Sequence, residues 1–364
     1  MTVFNINNTE WATGQGSLFL GQEPALFDSI NVRYPEFVSI YKLQKSIDWA
    51  EDEINLEQSR LDLLNCPYNT YDIMLENIAF QWEADSVASR AIAPLFAPFV
   101  TNSEFWGAML KNSEIEVLHA RTYSEIVRQC VADPSDVFKR VMHNDKVIRR
   151  LHTVAHAFNE LEIAGAKYKL NLIQNDQNTY NIVFKALVAL YCLERLQFMS
   201  SFAATFAIVE QGYFQGIGKL VQKIMQDELG CHAEMDRLAL AIELKTERGQ
   251  LALQMCMKEI IDMIVECTNC ELTWNRHLLG NGRSVVGLTI PLMDDWSLFN
   301  AGEMCSTFLP AHISPYPRIK NPLRYMENWI DINKFQNAQQ EGDGNNYSLN
   351  VVVNDLDDDM VLEL

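Results

Sequence analysis

The chain has 364 residues, 48% of them hydrophobic, with 29 Lys and Arg against 48 Asp and Glu and a net charge of −19. Such a length supports a large core in one big domain or two, and the composition excludes disorder over most of the chain. A sequence pI near 4.8 argues against nucleic acid or an anionic membrane surface as partners, since both need clustered cations. No basic segment followed by an apolar run opens the chain, so no secretory signal is expected. No apolar run is long enough for a transmembrane helix. The eight cysteines, at 66, 130, 192, 231, 256, 267, 270 and 305, are too scattered for a disulfide framework. Cys267-Thr-Asn-Cys270 is a lone C-x-x-C without a second pair or a nearby His at zinc spacing, a weak zinc signal. Reduced thiols and a cytoplasmic location are the expectation.

In chain order, residues 1–30 are mixed in Gly, Asn and Thr and read as an extended segment. From Pro35 to Asn65 apolar residues recur at helical steps (Phe37, Ile40, Leu43, Ile47, Ala50), with Trp49 followed by the acidic Glu51-Asp52-Glu53. Pro67 breaks the pattern. Residues 69–98 are helical again, with Asp85 on or near the apolar side. A short helix is expected from Asn102, and another around Glu116 to about Val131, where Asp133-Pro134-Ser135 supplies caps for the next. Helices continue through 136–172 to the polar break Asn175-Asp176-Gln177-Asn178. Residues 179–211 are apolar on most sides, as in the centre of a bundle, and Glu194 is the acid in their densest part. Further helices are expected over 216–245 and 248–280, and a short hairpin or a loop over 284–290. After Lys334 there is no Lys or Arg; residues 335–364 read as a flexible acidic tail with the apolar tip Met360, Val361, Leu362 and Leu364, suited to folding onto a partner groove.

The chemistry centres on residues 113–123. Glu116 and His119 are three apart and Tyr123 four further on, so a carboxylate, an imidazole and a phenol lie along one helix edge. Their neighbours Ile115, Val117, Leu118 and Ala120 are apolar, which turns the polar trio inward. Buried polar groups need satisfying, and a metal ion would do so. Taken alone, the stretch also fits an ordinary helix carrying a chance Glu and His. A second cluster, Gln226-Asp-Glu-Leu-Gly-Cys-His232, places Glu228 and His232 four apart on one face. With Asp85 and Glu194 the sum is four carboxylates and two histidines on four helices, the inventory of ferritin-like di-iron and di-manganese bundles. Four carboxylates neutralise two divalent cations with hard oxygen ligands, and the imidazoles complete the coordination. The remaining histidines, at 143, 152, 156, 277 and 312, have no comparable acid partner and read as structural or surface residues.

Over roughly residues 35–240 the chain resembles the small, radical-generating subunit of class I ribonucleotide reductase. Trp49 in its acidic context, Ala84-Asp85-Ser86, Glu116-x-x-His119-x-x-x-Tyr123 and Val131-Ala-Asp-Pro-Ser-Asp-Val-Phe138 carry the likeness. So do Leu193-Glu194, Phe198, Ser201-Phe202 and Asp227-Glu228.

The resemblance implies an all-α, ferritin-like helical bundle with extra helices spanning 31–334. It implies a dinuclear iron centre, with manganese as the alternative. Asp85, Glu116 and His119 would bind one metal and Glu194, Glu228 and His232 the other, Glu116 bridging. Tyr123 would carry the tyrosyl radical behind an apolar wall of Phe198, Phe202 and Ile224. Trp49, Asp227 and His119 would relay the electron hole, and Tyr347 in the tail would pass it to the large subunit, which reduces ribonucleotides to deoxyribonucleotides. A homodimer is implied as well.

One departure stands out. The family usually shows Glu-x-x-His at the second pair; here it is Glu228-x-x-x-His232, and Cys231 stands where the histidine would fall. Thiolate is a soft ligand, poorly matched to an oxygen-rich site. His232 is therefore the expected ligand, with the helix widened into a π-bulge over 228–232 and eased by Gly230. Two other readings share the ligands: a stand-alone di-metal oxidase or oxygenase, and an iron-storage or purely structural bundle. The first has no use for Trp49, Asp227 and the tail; the second needs no chain of this length.

Overall fold

The computed structural model describes residues 5–22, 26–143 and 145–331. The order of helices is α1 (Pro35–Ser46), α2 (Glu57–Asn65), α3 (Tyr68–Phe96), α4 (Ser103–Cys130), α5 (Ser135–His143), α6 (Asp145–Lys169) and α7 (Gln177–Cys192). There follow α8 (Met199–Val209), α9 (Gln215–Asp227), α10 (Ala233–Glu243), α11 (Glu247–Leu278), α12 (Ile290–Phe308) and α13 (Met326–Ile330). Among the described residues the only extended pairing is an isolated antiparallel bridge, Phe19 with Val100. It fastens the buried Leu18, Phe19 and Leu20 to the body. Residues 284–289 are turns and loop, not a hairpin. The acidic tail and Tyr347 lie outside the described residues.

The starts of α4, α7 and α11 are set by short polar side chains. Asn102 Oδ1 accepts from Phe105 N at 2.8 Å, Asp176 Oδ1 from Thr179 N at 2.9 Å and Thr246 Oγ1 from Gly249 N at 2.9 Å. The separate short helix expected from Asn102 is not present: Asn102 caps α4, which runs unbroken to Cys130. Nothing between Ser103 and Cys130 caps or breaks a helix, and the lone Gly107 is tolerated.

α3 and α4 are long antiparallel neighbours, and α7–α8 and α9–α10 complete an inner four-helix frame. α11 packs on α6, α7 and α12 outside it, and α1 lies on α4. α8 is buried along its whole length, Met199 to Val209, because every side is covered by protein. The frame contains two π-helical turns, Leu193–Gln197 between α7 and α8 and Glu228–His232 between α9 and α10. The two widened turns touch each other. The second is where the Glu228-to-His232 spacing calls for an extra residue to be absorbed; the first was not anticipated.

Candidate metal centre

α3 brings Asp85 to the middle of the frame, α4 brings Glu116, His119 and Tyr123, the first π turn brings Glu194, and the second brings Glu228 and His232. All seven side chains have no exposure to solvent. Their donor atoms form two overlapping groups, Asp85, Glu116, His119 and Glu228, and Glu116, Glu194, Glu228 and His232, each within 4.8 Å. Glu116 and Glu228 belong to both. His119 Nδ1 lies 3.0 Å from Glu228 Oε1, 3.7 Å from Glu116 Oε2 and 4.0 Å from Asp85 Oδ2. His232 Nδ1 lies 2.8 Å from Glu116 Oε1 and 3.1 Å from Glu228 Oε2. The two glutamates thus straddle the centre with one oxygen toward each imidazole. The cluster takes in His232 and not Cys231. A π turn explains this, because the extra residue in the ring rotates His232 onto the face Glu228 occupies.

Four carboxylates packed this closely without solvent cannot all stay ionised in the metal-free protein. Burial, then the charges of Glu116 and Glu228, pushes Asp85 well above the usual carboxylate range. Burial and Glu228 do the same to Glu194. For Glu228 burial acts upward too, but the imidazoles of His232 and His119 outweigh it and hold this carboxyl low. The histidines are the counterpart. Burial opposes their charge, yet Glu228 and Glu116 raise His232 to about 10, and the hydrogen bond with Asp227 helps to raise His119 well above its ordinary value. No hydrogen bond reaches either oxygen of Asp85 or Glu194, whereas Glu116 and Glu228 face the two imidazoles at ion-pair distance. Buried acceptors left unpaired are costly. A pair of divalent cations is what this donor set fits: hard oxygens in excess, two imidazoles and no thiolate.

Outward from the centre, His119 Nε2 lies 3.1 Å from Asp227 Oδ2, and Trp49 Nε1–H donates to the same oxygen at 2.8 Å. The Trp49 and His119 rings are nearly parallel, 6.1 Å apart. On the other side Tyr123 is fully buried, and its hydroxyl has no hydrogen-bond partner. Burial, followed by the charges of Asp85, Glu228 and Glu116, pushes this phenol well above its ordinary value, so it stays protonated. Phe198 and Phe202 stack at 5.8 Å, Phe80 packs on Phe198 at 6.2 Å, and Ile224 is buried one turn before Glu228.

The bundle that closes around these residues has known counterparts. A model of the family described as ribonucleotide reductase, small chain, matches residues 26–315. The chain belongs to the ribonucleotide reductase small-chain family. It is 24% identical over 359 residues to the ribonucleoside-diphosphate reductase subunit beta of Buchnera aphidicola subsp. Baizongia pistaciae, covering 94% of this chain and 93% of that one. Its fold is similar to that of the ribonucleotide reductase R2 subunit from Clostridium botulinum, with a TM-score of 0.75, 18% identity, and 91% and 98% coverage. It is also similar to a Streptococcus sanguinis dimanganese(II)-NrdF, with a TM-score of 0.63, 14% identity, and 85% and 100% coverage. The expected ferritin-like, all-α class holds. The activity is that of the small subunit of ribonucleoside-diphosphate reductase, an oxidoreductase, and small subunits of this family work together with a large subunit. No helix among the described residues is long and apolar enough to cross a membrane.

The sequence reading missed Asp236, which is fully buried, has no hydrogen-bond partner and is raised well above its ordinary value by burial. Its position four residues after His232, among Met235, Leu238 and Ala239, is the signal that could have found it. His277 is an ordinary structural histidine, 2.8 Å from Glu76.

Proposed function

We propose that this chain is the radical-storing partner in ribonucleotide reduction. Asp85, Glu116 and His119 would hold one metal ion and Glu194, Glu228 and His232 the other. Glu116 would bridge them, with Glu228 placed to reach both. Iron is the metal proposed first, with manganese as the alternative; the S. sanguinis neighbour is described as dimanganese(II). When bound, reduced and exposed to oxygen, the pair supplies a one-electron oxidant next to Tyr123.

The residues do the rest. Tyr123 gives up one electron and its phenolic proton, becoming a neutral phenoxyl, and the proton passes to a neighbouring carboxylate. Asp85, Glu228 and Glu116 are the carboxylates whose charges bear on this phenol, Asp85 foremost. Phe198, Phe202 and Ile224 keep water and thiols away from the radical. His119, Asp227 and Trp49 carry the hole toward the surface. Tyr347, in the tail over 335–364, hands it to the large subunit, where that tail docks. A homodimer in the cytoplasm is the assembly the family resemblance implies.

The observation that carries this reading is the unbroken path from Trp49 Nε1 through Asp227 Oδ2 to His119 Nε2. A stand-alone oxidase has no need of such a path leading away from its centre. The test is removal of residues 335–364. The shortened chain should keep its tyrosyl electron paramagnetic resonance signal and lose turnover with the large subunit. Unchanged oxygen-dependent activity of the shortened chain without any large subunit would favour the stand-alone oxidase.

A further inference from the structure

Trp49 lies on the irregular connection between α1 and α2 and is gripped by α9 at two points one turn apart. Asp227 holds the indole N–H. Four residues earlier, Lys223 places its ammonium over the indole face, 5.7 Å from the ring centre. Lys223 is half-buried, 12% exposed, and its Nζ lies 2.5 Å from Glu53 Oε1. Glu53 Oε2 in turn accepts from Ala50 N at 3.3 Å, directly after Trp49 in the chain. The cation is therefore held in place over the ring and does not wave through solvent.

A cation over an aromatic face favours the neutral, electron-rich ring, because it is attracted to the negative face of the quadrupole. Removing one electron turns attraction into repulsion. We infer that Lys223 is a redox-setting positioning residue. It makes oxidation of Trp49 harder, and Glu53 offsets part of its effect. This rests on the proposed Trp49 relay. In the step concerned one electron would leave the indole toward the dinuclear centre that the carboxylates and imidazoles of Asp85, Glu116, His119, Glu194, Glu228 and His232 would hold, which supplies the oxidant. No bond breaks, and the hydrogen stays on Nε1, donated to Asp227 Oδ2. The consequence is directional. The hole rests on Tyr123, and Trp49 is oxidised only in passing.

The two members of the pair predict opposite signs. The test is rapid mixing of the metal-loaded full-length protein with oxygen, following the visible absorbance of the indole radical. Trp49→Phe identifies the signal that belongs to Trp49. Lys223→Met should raise that signal about three- to tenfold. Glu53→Gln, which leaves the cation without its counter-charge, should lower it below wild type, and Lys223→Arg should stay near wild type. Metal content and melting temperature, measured on each variant, confirm that the fold is intact. If Lys223→Met and Glu53→Gln move the signal the same way, the pair merely clamps the loop, and the inference is overturned. An unchanged signal in Lys223→Met overturns it too, while leaving the Trp49 relay standing. No Trp49-dependent signal in any variant overturns both the inference and the relay.

Discussion

Replacing Asp85 by Asn should stabilise the metal-free protein and weaken its response to metal. Asp85 is a buried carboxyl with neither oxygen partnered, packed against other acids. Relieving such a group is worth about 1–3 kcal/mol. Unfolding entropy of about 2.1 cal/mol/K per residue gives roughly 0.8 kcal/mol/K for a chain of 364 residues. The metal-free variant should therefore melt about 1–4 °C above wild type. Two sites filled at a hundredfold excess over their dissociation constants add about 5.5 kcal/mol, or roughly 7 °C, to the wild type. The variant lacks one ligand charge and should recover less than half of that rise.

Acidity sharpens the test. Asp85 and Glu194 are raised in the folded state, so the fold binds more protons than the unfolded chain and loses stability as pH climbs through their folded values. His232, raised to about 10, contributes stability below its unfolded value, lost as pH rises toward 10. Glu228 runs the other way, but only in acid, below about pH 4.5. Between about pH 5 and pH 9 the metal-free protein should thus melt progressively lower, while the metal-induced rise grows as the ligands deprotonate. Differential scanning calorimetry under anaerobic conditions, with and without Mn(II) or Fe(II), reads both. A metal-free Asp85→Asn that melts below wild type, or a full metal response from it, would refute the reasoning.

Three further outcomes are expected of the same structure. Tyr123→Phe removes a hydroxyl that has no partner, so stability should move by about 1 kcal/mol or less, metal content should stay, and the tyrosyl resonance should vanish. Deleting Gly230 should restore an ordinary helical turn with α10 still in register, because the widened turn carries one residue more than an α-helix needs. Circular dichroism should show a cooperative melt, whereas deleting Ala239 rotates the remainder of α10 by about 100° and should abolish it. Arg150 is buried between the rings of Phe80 and Trp274, with Nη2 2.6 Å from Glu271 Oε2. Arg150→Met leaves that acid unpaired and should cost about 3–5 kcal/mol, seen as a denaturant midpoint shift.

Much of the architecture was legible because apolar periodicity and caps are local. Pro67 and Asn175-Asp176 mark helix limits that the structure places within a few residues. The break expected near Asn102 did not occur: a capping residue looks alike whether it starts a short helix or a long one. The widened turn at Glu228–His232 was readable because a spacing one residue too long needed a geometric remedy. Its counterpart at Leu193–Gln197 carries no such mismatch within its own sequence and so left no trace. The six acids and histidines could be picked out as polar residues on apolar faces. The roles of Lys223, Glu53 and the Arg150–Glu271 pair could not, since each depends on partners 121 or more positions away.

Six side chains from α3, α4 and the two π turns should cage two cations beside Tyr123. Crystals grown with Mn(II) or Fe(II) and measured at the metal absorption edge test it directly. Two anomalous peaks are expected, one touching Asp85, Glu116 and His119, the other Glu194, Glu228 and His232. A single peak, peaks elsewhere, or Cys231 in the place of His232 would contradict it.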